Sequence, residues 1–172
     1  PENARVLYCG NVPHSIIQPI EIEEVYSDPT KDIYIGKIQN SHTLPKLEIS
    51  ENEPKIGQSL CLCGYPLAQL GQNPDGSINV NNVRKYWQPT FMVDNFQGVI
   101  DGRTYAGFMT QHASLKGMSG GPIFGSDGLI YGMDVAVMGR EIPDPATPIT
   151  VHNGLVVGIG YIKEGIERAN SI

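Results

Sequence analysis

Apolar residues fall along this chain in short runs rich in Val, Ile, Tyr and Leu, separated by polar breaks that carry glycine and proline. The runs are Arg5–Cys9, Ile16–Val25, Asp32–Ile38, Ser59–Gly64, Phe91–Val93, Gly98–Ile100, Pro122–Phe124, Leu129–Val137 and Leu155–Tyr161. Short apolar runs bounded by turn residues predict strands, and many of them in succession predict an all-β sandwich or barrel. Helical spacing of apolar residues shows only near the end, where Ile162–Ala169 predicts a short terminal helix. Two polar stretches read as joints. Asn52–Gly57 could link two sub-domains, and Gly71–Ser77 reads as an exposed loop with an Asp-Gly turn at Asp75-Gly76. No repeat and no low-complexity tract interrupts this pattern.

Composition narrows the picture. The 172 residues suffice for one ordinary domain or two small ones sharing an interface, and a hydrophobic content of 40% supports a packed core. Twelve basic against 18 acidic residues give a net charge of -6 with no basic run, which argues against nucleic-acid binding. No apolar stretch approaches the roughly 20 residues of a membrane-spanning helix. The three cysteines, Cys9, Cys61 and Cys63, lack the spacing of a disulfide framework. Cys61 and Cys63 alternate along one strand and share a face, as small buried apolar residues would. No histidine pair stands at metal-ligand spacing, so neither a metal nor an organic cofactor is expected.

The stretch that carries chemistry is Gly117-Met118-Ser119-Gly120-Gly121-Pro122-Ile123-Phe124. A serine hydroxyl becomes a nucleophile when the backbone holds it exposed beside a base, and the oxyanion it generates needs N–H donors aimed at one point. Glycines around Ser119 allow the dihedrals and the close approach that both demands impose. Pro122 then leads into a strand, a turn at Gly125-Ser126-Asp127-Gly128, and a second strand.

This motif with its following hairpin resembles the nucleophile loop of chymotrypsin-like (trypsin-like) serine peptidases, with a flavour of the Deg type. The resemblance implies Ser119 as nucleophile and an oxyanion hole at Gly117, Met118 and Ser119, formed by the N–H groups of Gly117 and Ser119. Met118 departs from the Asp that animal digestive members carry there. Asp32, opening the apolar strand Ile33–Ile38, matches the triad carboxylate that orients a histidine. Ile56–Pro66 resembles the first strand of the second barrel, and Leu155–Ile162 with Lys163–Ala169 its last strand and closing helix.

The implied fold is all-β: a chymotrypsin-like double β-barrel with an incomplete N-terminal barrel and a short C-terminal helix. Residues 1–52 would be the remainder of the first barrel, and 53–172 the second barrel. The resemblance also implies a substrate pocket with one wall at Ala113-Ser114 and another at Val135-Ala136-Val137. None of these is charged, so a small or medium apolar side chain is expected there rather than Lys or Arg. Asp134 lies beside that wall. Strand alternation turns it away from the pocket, whereas a shift of one residue would put it inside. His112 precedes Ala113 and either lines the base of the pocket or serves as a hydrogen-bonded loop histidine.

The general base is the missing part. In this family the order is His, then Asp, then Ser, and only 31 residues precede Asp32. His14, the histidine among them, sits in a hairpin-like Val12-Pro13-His14-Ser15 rather than in the family's Ala-x-His setting. His42 and His152 read as loop histidines. The expected base therefore comes from a segment upstream of Pro1, making the protein's own N-terminal part a partner beside a peptide or protein substrate. The expected activity is that of a serine endopeptidase working through an acyl-enzyme. The alternative is a peptidase fold that has lost its base and serves as a binding or scaffold module.

Overall fold

The computed structural model describes residues 5–8, 18–38, 47–66, 69–72, 74, 78–81, 84–142 and 149–171. The chain opens with strands β1 (Arg5–Tyr8), β2 (Gln18–Asp28) and β3 (Ile33–Ile38), which form an antiparallel three-stranded sheet in the order β1-β2-β3. Strands β4 (Ser59–Gly64), β7 (Tyr86–Ile100), β8 (Arg103–Thr110), β9 (Pro122–Gly125), β10 (Ile130–Ile142) and β11 (Ile149–Gly158) close into a barrel in the order β10-β11-β8-β7-β4-β9. Between β4 and β7 a small hairpin of β5 (Gln69–Gln72) and β6 (Ile78–Asn81) forms a separate two-stranded sheet. Helix α1 (Ile159–Asn170) ends the fold. The architecture is the chymotrypsin-like β fold that the sequence implies, with its first sheet of three strands, its second barrel closed, and a single terminal helix.

Two apolar clusters organise these elements. Inside the barrel, Leu60, Leu62, Met92, Phe108, Met118, Ile123, Tyr131 and Val156 pack together. On β4, Leu60, Leu62 and Gly64 turn inward, while Cys61 and Cys63 share the opposite face as expected. Both thiols are half-covered and unpaired, and burial raises their pKa values. Cys9 lies outside the described residues. The second cluster, built on Ile33, Tyr105, Met109, Leu155 and Val157, joins the three-stranded sheet to the outside of the barrel and to α1 through Ile35, Val135, Ala136, Tyr161 and Ile162.

Backbone and charge reinforce this second contact. The Thr104 N–H donates to the Thr30 carbonyl at 2.7 Å. Lys31 donates to Glu164 at 2.8 Å and lies 4.7 Å from the centre of the Tyr161 ring. Gly165 gives the helix its closest approach to β3, since a Cβ there would stand 2.8 Å from Ile35 Cδ1.

Several boundaries differ from the sequence reading. The runs Phe91–Val93 and Gly98–Ile100 are parts of one strand of 15 residues. A register shift between Met92 and Asp94 lets the polar Asp94-Asn95 pair sit in it without leaving the ladder. Strand β8 has no counterpart among the apolar runs. It follows a two-residue turn in which Asp101 (φ 49°) and Gly102 (φ 79°) both take left-handed dihedrals. At the end, Ile159–Ile162 is helix rather than strand: Gly158, still extended, caps the helix, and Ile159 is buried at its first turn.

Candidate active site

The loop around Ser119 is built from positive-φ glycines on a barrel wall. Gly117 (φ 91°) and Gly120 (φ 85°) take dihedrals that side-chain-bearing residues avoid. Between them Met118 is driven into the barrel core, 1% exposed, so its neighbour Ser119 is turned to the surface. Four backbone hydrogen bonds fix the loop: Met118 N–H to Leu115 O at 3.0 Å, Gly121 N–H to Met118 O at 2.8 Å, Gly120 N–H to Asp134 O at 2.7 Å, and Asp134 N–H to Gly121 O at 2.9 Å. Gly121 has no room for a side chain, because a Cβ would collide with the Cys63 carbonyl and stand 2.7 Å from Met118 O. Among the described residues, neither the Gly117 nor the Ser119 N–H has a backbone acceptor. Met118, the third residue placed in the oxyanion hole by the sequence, spends its N–H inside the loop and serves as the apolar anchor.

The hairpin behind the loop is held by its own side chains. Asp127 accepts from the Tyr131 hydroxyl at 2.8 Å and from the Leu129 N–H at 3.1 Å. These two donors, the hydroxyl first, lower its pKa. Gly128 (φ 81°) completes the turn.

Asp32, which the resemblance matches to the triad carboxylate, is not buried. It lies in the turn before β3 with φ 56°, its side chain is 38% exposed, and it pairs with Arg103 Nη1 at 3.0 Å. Among the described residues Arg103, not a histidine, is its ionic partner. The neighbouring Asp28 holds the turn itself, accepting from the Thr30 hydroxyl at 2.6 Å and N–H at 3.0 Å, and the hydroxyl bond is the main cause of its lowered pKa.

The expected pocket walls divide. Ala113 and Ser114 lie half-buried just before the nucleophile loop, and the Ala113 carbonyl accepts from Gln88 Nε2 at 2.9 Å. Val135 and Ala136 pack their side chains into the cluster around Ile33, and Val137 is 47% exposed. The reason is a register shift between Asp134 and Ala136 in the β10–β11 ladder, which breaks the alternation counted from sequence. Asp134, paired with the core residue Val156, takes the inward face and is 1% exposed. Burial pushes its pKa up to about 6, and the nearby Ser114 side chain offsets this only in part. No donor among the described residues reaches either carboxylate oxygen at hydrogen-bond geometry. Sequence alternation alone leaves the side of Asp134 open; the signal is a lone carboxylate in the apolar run Leu129–Val137.

The described histidines stand apart from this loop's bonds. His112 is exposed, with Nδ1 3.2 Å from the Pro89 carbonyl. His152 is exposed on β11, beside Gly139. His14 and His42 lie outside the described residues. No group of three or more His, Cys, Asp and Glu residues that could hold a metal occurs among the described residues. None of the described helices is long and apolar enough to cross a membrane.

Comparison with known proteins agrees with this architecture. Residues 14–133 match the family model described as trypsin-like peptidase domain. The match spans more than half of the chain, including Asp32 and Ser119, and the chain belongs to this family. Among solved structures, the active form of the Rv3671c protease from M. tuberculosis superposes with a TM-score of 0.65 at 19% identity, covering 88% of this chain and 60% of that one. An inactive serine-to-alanine form of the same protease gives 0.61 at 19% identity, covering 90% and 67%. The MamO protease domain from Magnetospirillum magneticum gives 0.55 at 14% identity, covering 86% and 68%. The chain thus spans 60% to 68% of the length of these structures. A search of curated proteins gave no match.

Proposed function

We propose that this protein is a serine endopeptidase in which Ser119 attacks the peptide carbonyl and forms an acyl-enzyme. The observation that carries the reading is the nucleophile loop. Ser119 stands exposed between two left-handed glycines, and the Gly117 and Ser119 N–H groups are without backbone acceptors among the described residues. A tetrahedral intermediate needs two such donors converging on its oxygen. The general base is a histidine outside the described residues. It takes the Ser119 proton as the C–O bond forms and returns it to the leaving amine as the C–N bond breaks. Water then attacks the ester, and the same base shuttles the second proton. Asp32 is the carboxylate assigned to orient that histidine, after exchanging its Arg103 partner for the imidazole N–H.

The test is labelling of the full-length protein with a fluorophosphonate, beside Ser119→Ala. Such probes bond to a serine only when a base has activated it. Labelling that disappears in the variant supports the reading. Folded protein that stays unlabelled overturns it and leaves a peptidase fold acting as a binding module, the reading favoured by Asp32 being paired with Arg103 rather than with a base.

A further inference from the structure

Strand β4 presents two thiols, Cys61 and Cys63, on the outer face of the barrel. Its two neighbouring strands meet above them. Cys61 stands opposite Pro89 on β7 and Phe124 on β9, and Cys63 stands opposite Trp87 on β7. Side chains directly opposite in a ladder share a face. The Trp87 and Phe124 rings approach to 5.8 Å between centroids, although their strands flank β4 on either side. The rings therefore reach across β4 on the face that holds the thiols, and both thiols are half-covered. Lys85 Nζ lies 5.8 Å from the centre of the Trp87 ring. Burial raises the pKa of both thiols; at Cys63 the Lys85 ammonium works against burial and Cys61 adds to it. Two sulfurs, an aromatic pair and an ammonium thus share one neighbourhood.

Strand geometry decides what this pair can do. Alternate residues of a strand stand about 6.7 Å apart with side chains pointing the same way. A disulfide needs its Cβ atoms within roughly 3.5–4.5 Å, so this pair closes one only by bending β4. The β4–β7 register runs unbroken from Ser59 to Gly64 and opposes such a bend. An ion held in line between two thiolates needs sulfurs about 4.6 Å apart, twice a metal–sulfur bond of about 2.3 Å. Sulfurs leaning about 1 Å toward each other from those positions meet that span. Zinc and iron–sulfur clusters take four protein ligands, and no group of three or more candidate ligands occurs among the described residues. Thiolates also select Cu(I), whose filled d shell accepts two ligands in line. Two thiolates on Cu(I) leave one negative charge, which the Lys85 ammonium balances.

We propose that Cys61 and Cys63 form a two-coordinate thiolate site for Cu(I), roofed by Trp87 and Phe124 and flanked by Lys85. On binding, two S–H bonds break and two S–Cu bonds form. Both protons pass to solvent, and nothing is oxidised or reduced. The proposal departs from the sequence expectation of no metal, and it does not depend on the reading of Ser119.

Trp87, the one tryptophan of the sequence, reports on this site, because a copper ion beside an indole quenches its fluorescence. The test titrates Cu(I), buffered by the coloured chelator bicinchoninate and kept free of oxygen, into the reduced full-length protein. A Cys9→Ser background removes the third thiol. The protein should withdraw Cu(I) from the chelator, and the Trp87 emission should fall in step. Partners outside the coordination sphere are commonly worth 10–100-fold in metal affinity, so losing a ligand should cost about 100-fold or more. Cys61→Ser and Cys63→Ser, each checked as folded by circular dichroism, should both show that loss, and the emission change should vanish. If a serine variant does not fold, alanine at the same position gives the reading. Zn(II) at the same free concentration should leave the emission unchanged. Unchanged Cu(I) affinity in the variants at both positions, or an equal response to Zn(II), overturns the proposal.

Discussion

Asp134→Asn should stabilise the unliganded protein at neutral pH, and the pH dependence of that gain is the decisive measurement. The substitution keeps shape and removes a charge from a site that is 1% exposed. Burial has pushed this carboxyl up to about 6, against about 3.9 for an unfolded aspartate. The folded protein therefore holds this proton more tightly than the unfolded chain. Stability contributed by the protonated form is complete below about pH 4, declines as pH rises from 4 to 6, and is gone above about pH 7. A difference of about two pKa units at 1.36 kcal/mol each makes the whole effect about 3 kcal/mol. The asparagine side chain does not titrate and carries no such slope. Variant and wild type should therefore differ little at about pH 4 and by about 3 kcal/mol at about pH 7.5. Asp28, Asp127 and Glu164, all with lowered pKa values, slope the opposite way. Their contributions are common to both proteins and cancel in the comparison. Urea unfolding followed by circular dichroism at several pH values gives the difference directly. A difference that stays constant across that pH range, or a variant less stable than wild type at its upper end, would refute the reasoning.

Neighbouring glycines of the Ser119 loop should respond very differently to alanine. In Gly121→Ala the new methyl meets the Cys63 and Met118 carbonyls, and expression with thermal melting should show a loss of more than about 3 kcal/mol or no folded protein. Gly120→Ala has open space around its Cβ, so only its φ of 85° opposes the change, and its melting point should correspond to a loss of about 1–2 kcal/mol. A Gly121→Ala protein as stable as Gly120→Ala would contradict the packing described. Gly117→Ala should lower the fluorophosphonate labelling rate roughly 100-fold by turning one oxyanion donor away, while the protein stays folded. A labelling rate equal to wild type would remove the Gly117 N–H from the oxyanion hole.

How far the sequence reveals this protein depends on which physical rule governs each stretch. Strand Ser59–Gly64 alternates cleanly between inward Leu60, Leu62 and Gly64 and outward Cys61 and Cys63, and its limits are readable to the residue. The loop around Ser119 is legible as a turn, because Gly117 and Gly120 take the left-handed dihedrals that glycine favours. Strand β8 hides for the opposite reason. Arg103–Thr110 is buried on both faces toward its end, so it shows no period of two, and its start is marked only by the Asp101-Gly102 turn. The pocket side of the site is lost to a single bulge. Counting alternate residues along Leu129–Val137 fails at the shift between Asp134 and Ala136, because one unpaired residue reverses every face beyond it. The shift follows directly on Asp134, which still pairs with Val156 and is buried. Burial raises the pKa of this carboxyl, so its ionised form opposes folding at neutral pH.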